Sequence, residues 1–219
     1  MGVTEGSDAP AAATGPGPRR PASAERLKAF TDAVVAIAMT LLILPLMESV
    51  GEVASEHGTA GEWVAHHGDQ LFSFGLSFVL IAAFWLSHHR LFERVHRADP
   101  PLLMLTVAWM FTIVWMPVAT AVVGQLPDDP VQKSLYVGSL FATSAMMTVT
   151  GWYVLRHPGL HDMPEGSLRS GILADTIATV LFAASYAVML VVPALGYYAL
   201  LLLLLTGPLV AVLRRRLAG

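Results

Sequence analysis

The sequence predicts an all-α integral membrane protein with six transmembrane helices, and three observations carry that expectation. Of 219 residues, 55% are hydrophobic and only 13% are charged, more apolar surface than one water-soluble core of this size can hide. The apolar residues gather in blocks of roughly 20, the length at which a helix rising about 1.5 Å per residue crosses a hydrocarbon core of about 30 Å. The Lys and Arg residues, 13 in all, fall almost entirely between alternate blocks, as they do when they collect on one side of a bilayer.

Residues 1–24 are rich in Ala, Gly and Pro and lack apolar periodicity, so they read as a disordered tail and not as a cleaved signal. Apolar blocks follow at 30–47, 71–91, 102–123 and 135–155. The last block, 171–213, is about twice one crossing in length. Pro193 and Gly196 supply its turn, because proline removes a donor and glycine frees the backbone. The domain plan is a six-helix membrane unit over 25–213 between the tail and a basic C-terminus at 214–219.

Positive charge orients the spans. Arg19, Arg20, Arg26 and Lys28 precede the first, Arg90, Arg94 and Arg97 follow the second, Arg156 and Arg169 separate the fourth from the fifth, and Arg214, Arg215 and Arg216 close the chain. The opposite segments hold Lys133 alone among Lys and Arg, beside Glu48, Glu52, Glu56, Glu62, Asp69, Asp128 and Asp129. Both termini are expected in the cytoplasm, with the plasma membrane as the site and the bilayer as the first partner. A net charge of −3 gives no reason to expect nucleic acid.

The chemistry is bounded by what the chain lacks. With no cysteine there is no disulfide, thiolate metal site or thiol nucleophile, and with no asparagine there is no N-glycosylation. Zinc-protease, phosphate-loop and nucleophile-elbow motifs are absent too. Neither an enzyme nor a cofactor or metal is expected. Adjacent pairs such as His66–His67 and His88–His89 diverge by about 100° on a helix and have no third ligand at suitable spacing.

The start of the first span, Arg26-Leu-Lys-Ala-Phe30-Thr31-Asp32, carries ionisable groups into apolar helix. Arg26 and Asp32 lie six residues apart and point to different faces, so Asp32 needs a partner elsewhere. Trp85, Ser87, His88, His89 and Arg90 close the second span at the same depth. Within the first span Ile37, Leu41 and Leu44 recur at i, i+4 and i+7, with Thr40 at the border. Asp175 is the other acidic group inside a span. Pro45 and Pro117 are expected to kink or end their helices, and Gly138, Ser139, Ala142 and Ala145 to let the fourth helix pack closely.

Arg26, Phe30, Thr31 and Asp32, followed by Ala-Val-Val-Ala-Ile-Ala-Met-Thr-Leu-Leu-Ile-Leu, resemble the first helix of the transmembrane protein 175 family, whose hallmark is Arg-x-x-x-Phe-Ser-Asp. Trp85, His88, Arg90 and Phe92 are similar to the end of that family's second helix, and Pro117 to a proline of its third. Thr31 replaces the hallmark serine, and the asparagine usual early in the third helix is missing. The resemblance implies a potassium-permeable cation channel, a homotetramer with one six-helix unit per chain whose first helix lines the pore. It places the narrowest hydrophobic ring on Ile37 and a polar layer on Thr40, with Leu41 and Leu44 extending the constriction. It also implies a polar knot of Arg26 and Asp32 with His88 as second-helix partner and Trp109 nearby. Potassium and other monovalent cations are the partners so implied. The alternatives are a proton-coupled transporter using Asp32, His88 or Asp175, and a non-conducting scaffold.

Overall fold

A computed structural model describes residues 24–127 and 129–217, and these are all-α. The tail expected at 1–24 lies outside them up to residue 23, as do the side chains of 193–196, 198 and 214–217 and all of 218–219. Eight α-helices follow in order: α1 (Ala24–Leu41), α2 (Leu44–Ser55), α3 (Ala60–His66), α4 (Gly68–Phe92), α5 (Pro100–Gln125), α6 (Pro130–Arg156), α7 (Glu165–Val191) and α8 (Thr206–Leu217). Short 3-10 segments sit at Pro158–Leu160 and Pro193–Leu205.

The helix ends follow their sequences. Asp99 and Asp129 each accept a backbone N–H of the first turn of α5 and α6, and proline occupies that turn in both; it costs nothing there because its missing donor would be unpaired anyway. The first apolar block, expected as one span over 30–47, is two helices. α1 ends at Leu41 and α2 begins at Leu44, with Pro45 in its first turn. α1 stops four residues before the proline, because Pro45 has no N–H for Leu41 O and its ring crowds that carbonyl. Four stretches are long and apolar enough to cross a membrane: Ala24–Ser55, Gly68–Phe92, Pro100–Gln125 and Glu165–Val191. α6 has 27 residues but falls outside that group, because glycine and hydroxyl residues on its protein-facing sides dilute its hydropathy.

The acidic segment between the first two spans is helical, not open loop. Thr59 and Glu62 form a reciprocal capping box at the start of α3. The Thr59 backbone N–H, and then its hydroxyl, hold the Glu62 carboxyl below its ordinary range. Trp63 of α3 donates from Nε1 to Ser49 Oγ of α2 at 3.0 Å, which ties the two short helices together.

α5 and α6 pack side by side at the centre of the bundle. α4 and α1 lie against α5; α7 lies against α6 and carries the 3-10 helix and α8 on its far side. Ile81, Trp109, Ile113, Met116, Leu140 and Met147 form the buried core. Because lipid is as apolar as leucine, close packing and hydrogen bonds must supply what water would otherwise drive. Ser77 Oγ meets Tyr136 OH at 2.9 Å and accepts from Thr120 Oγ1 at 2.8 Å, joining α4, α5 and α6. Thr179 of α7 meets Ser144 and Thr148 of α6 at 2.8 and 2.9 Å.

Two packing expectations are corrected. Pro117 lies inside α5 and does not end it. Of the two glycines of α6, the one in close contact is Gly151 and not Gly138: a Cβ at Gly151 would stand 2.9 Å from Ile172 Cγ1, whereas one at Gly138 would meet nothing within 4 Å. Ser139 is buried, but its hydroxyl bonds back to Leu135 O on its own helix.

At the basic end the α4–α5 and α6–α7 loops are joined. Val95 and His161 form an antiparallel bridge, with His96 N donating to Leu160 O at 2.9 Å and Asp162 N to Arg94 O at 3.2 Å. His96 Nε2 stands 3.0 Å from Asp162 Oδ2.

Candidate functional site

α1 occupies an edge of the bundle, and its sequence divides it lengthwise. Ala24, Leu27, Thr31, Val35, Ala38 and Leu42 are buried, at a spacing that puts them on one side toward α4 and α5. The opposite side is bare. There Phe30 is 59% exposed, Ile37 60% and Leu41 38%. Ala29, Ala33, Ala36 and Thr40 flank them, also exposed. Leu44 is 48% exposed, but it belongs to α2, so the stripe read from the sequence crosses the break between two helices. Thr40 Oγ1 donates to Ile37 O at 2.7 Å, which satisfies the hydroxyl proton within the helix and leaves the oxygen free to accept.

The buried side is tied to α4 by side-chain bonds, with Lys28 Nζ donating to Glu93 O at 3.3 Å at the helix end and a deeper bond beyond it. Trp85 of α4 donates from Nε1 to Asp32 Oδ1 at 2.8 Å. His88, expected as the Asp32 partner, does something else. One turn further along α4, it lies flat between Phe92 and Trp109, with ring centroids 4.2 and 4.4 Å away. The reason is angular: residues three apart on a helix differ by about 60°, enough for Trp85 to face α1 while His88 faces α5. His88 Nε2 and Trp109 Nε1 are buried with no hydrogen-bond partner among the described residues. Trp109 thus belongs to this cluster as an aromatic plate.

Thr31 is buried and its Oγ1 donates to Leu27 O at 2.9 Å. The hydroxyl that stands in for the hallmark serine is therefore spent on its own helix. Arg26 is exposed and makes no ion pair with Asp32 among the described residues. The structure thus brings Asp32 together with Trp85, and His88 with Trp109, while Arg26 joins neither.

Asp175, whose partner no sequence pattern identifies, accepts from Ser87 Oγ of α4 at 2.6 Å. α4 is held near its basic end by two carboxylates, Asp32 from α1 on one side and Asp175 from α7 on the other. Both residues were visible as intramembrane acids, but which helices abut them is a tertiary fact.

The family model described as endosomal/lysosomal potassium channel TMEM175 matches residues 26–117, which includes α1 with its motif, the Trp85–His88 segment and Pro117. A protein of Streptomyces collinus named as a potassium channel is 31% identical over 144 residues, 63% of this chain and 67% of that protein. The human protein named endosomal/lysosomal proton channel TMEM175 is 25% identical over 136 residues; the match takes in 62% of this chain and spans about a quarter of the human one, 27%. Among solved structures, the TMEM175 homologue from Chamaesiphon minutus, titled a lysosomal potassium-selective channel homologue, superimposes with a TM-score of 0.56 at 25% identity, covering 84% of this chain and 97% of that one. The chain is a membrane-spanning member of the TMEM175 family of ion channels.

Proposed function

We propose that the protein is a potassium-permeable cation channel of the plasma membrane, a homotetramer in which four copies of α1 surround the pore and Ile37 forms its narrowest ring. The observation that carries this reading is the bare face of α1. A helix bearing the family motif is anchored on one side by Trp85 and Asp32 and leaves Phe30, Ile37 and Leu41 without intramolecular cover. The alanines at 29, 33 and 36 on the same face favour a neighbouring helix over lipid, since small residues let backbones approach.

In such an assembly Ile37 forms a dry constriction, which an ion passes only when it widens and wets. The Thr40 oxygen offers an acceptor beside it. Leu41, and Leu44 beyond the break, continue the apolar wall. At the far end Glu48 and Glu52 on α2 and Glu56 at its cap recur every four residues, raising the local cation concentration at the outer mouth. The six crossings are α1 with α2, then α4, α5, α6, α7, and finally the 3-10 helix with α8; both termini are cytoplasmic by the placement of positive charge.

The test is potassium flux through purified protein in liposomes, with the mass of the assembly measured in parallel. Ile37→Asn is expected to raise flux about tenfold by wetting the ring. Unchanged flux and selectivity in that variant would sink the assignment, and so would a monomeric mass. The vertebrate relatives' name favours one second reading, proton permeation, which a pH-sensitive dye inside the same liposomes distinguishes.

A further inference from the structure

Away from α1, a cavity of about 640 Å³ opens among α4, α7 and the start of α8 at the basic end of the molecule. α4 and α7 touch only sparingly, and small side chains on α7 keep the gap open. Asp175 lies ten residues on from Glu165, the first residue of α7, so its carboxylate stands about 15 Å along the helix from that end. Its Oδ1 is held by Ser87, and its Oδ2 makes no hydrogen bond among the described residues. Arg90 also lines the cavity, one turn nearer the basic end on the same face of α4 as Ser87, and lies within electrostatic reach of Asp175. Yet the guanidinium and the carboxylate form no ion pair among the described residues, and Arg90 makes no other hydrogen bond there.

Asp175 is half-buried in the cavity wall while Arg90 is exposed at its mouth, so the carboxylate, partly withdrawn from water, lacks a counter-charge that the guanidinium stands near but does not supply. We propose that this cavity is a binding site for a small zwitterion, its ammonium group on Asp175 and its anionic group on Arg90. Ser87, which holds the carboxylate, and Arg90 lie one turn apart on α4 and line the same cavity, so a short molecule carrying an amine and a phosphate or carboxylate can address both charges. The guanidinium fork suits either anion, and the volume lies within the usual range for small-molecule sites, about 300–1,000 Å³. Phosphoethanolamine carries this chemistry either as a soluble molecule or as a lipid headgroup. Depth favours the soluble form, because the carboxylate is the inner group and a lipid would have to turn its amine toward its own acyl chains. The site stands apart from the pore reading: occupancy is measured as binding, and it is unaffected if the chain conducts nothing.

Full-length protein in detergent free of phosphatidylethanolamine is titrated with O-phosphoethanolamine, ethanolamine and inorganic phosphate, and occupancy is read from the rise in unfolding temperature. O-phosphoethanolamine should bind at least about tenfold more tightly than either half. Arg90→Gln should reduce it to the level of ethanolamine, Asp175→Asn should abolish the preference, and Arg94→Gln, outside the cavity, should change nothing. A second arm compares nanodiscs with and without phosphatidylethanolamine; stabilisation there alone, sensitive to both variants, assigns the site to the lipid headgroup. If Asp175→Asn fails to fold, the three probes on the native chain still decide. No preference for the zwitterion at about 10 mM in the first arm, with no lipid effect in the second, would overturn the proposal, as would equal binding by the native chain and both variants.

Discussion

Asp32 and Trp85 are the residues on which the position of α1 depends most directly. A carboxylate between membrane helices is costly unless its oxygens are bonded, and Trp85 Nε1 at 2.8 Å is the donor. Trp85→Phe keeps most of the ring and removes only that donor, so it should destabilise the fold by about 1.5–3 kcal/mol, the usual scale for a hydrogen bond to a charged group. Chemical unfolding in micelles measures this. Combining Trp85→Phe with Asp32→Asn should cost less than the sum of the two single changes; strict additivity would mean that the bond contributes nothing. At this scale the sequence was legible in part. Asp32 announced itself as a charge in apolar surroundings, but Trp85 and His88 lie one turn apart at the same depth, and only the rotation of α4 chose between them.

Among the elements, α5 and α6 illustrate how a helix end is completed by its neighbour. Gln132, buried in the first turns of α6, donates from Nε2 toward Val122 O and Val123 O at 3.2 Å and Leu126 O at 3.0 Å. Val123 O and Leu126 O lie where no further turn of α5 supplies N–H groups, while Val122 O also accepts from Leu126 N at 3.1 Å. Gln132→Leu should therefore cost about 0.5–1.5 kcal/mol, the net scale of a typical hydrogen bond, because these acceptors are half-buried or exposed. Hydrogen exchange should show the added fraying confined to the last turn of α5, and an unaltered exchange pattern would refute the role. Asp-Pro pairs at 99–100 and 129–130 cap these helix starts, a local signal that hydropathy does not use. Gln132 did not stand out, because a glutamine beside a loop has no pattern that points to the preceding helix.

On the scale of the whole molecule, the basic end is closed by loops and not by helices. His96 donates to Asp162 across the two loops and, as the largest influence, holds the Asp162 carboxyl below its ordinary value of 3.8. A carboxyl depressed in the folded state contributes stability that is present above its unfolded value and lost as pH falls through the folded one. The tie should thus hold at about pH 5 and loosen below pH 3.8. Protection of the His96 and Asp162 amides, corrected for intrinsic exchange, should fall over that window. Asp162→Asn should remove the pH dependence; if protection still falls in that variant, another group is responsible.

The apolar blocks, the one-sided placement of Lys and Arg between them and the motif of the first helix are legible in the sequence itself, because transfer from water to lipid depends on composition and span length before any helix meets another. Charge placement acts in the same local way, and so does the Thr59–Glu62 cap. The tertiary structure decided what depends on rotation and neighbourhood: the choice of Trp85 over His88, the close contact at Gly151, the pairing of Asp175 with Ser87, and the bare side of α1. Each follows from which faces of adjacent helices meet, and in a membrane, where every face is apolar, hydropathy alone does not distinguish the side turned to protein from the side turned to lipid or to another copy.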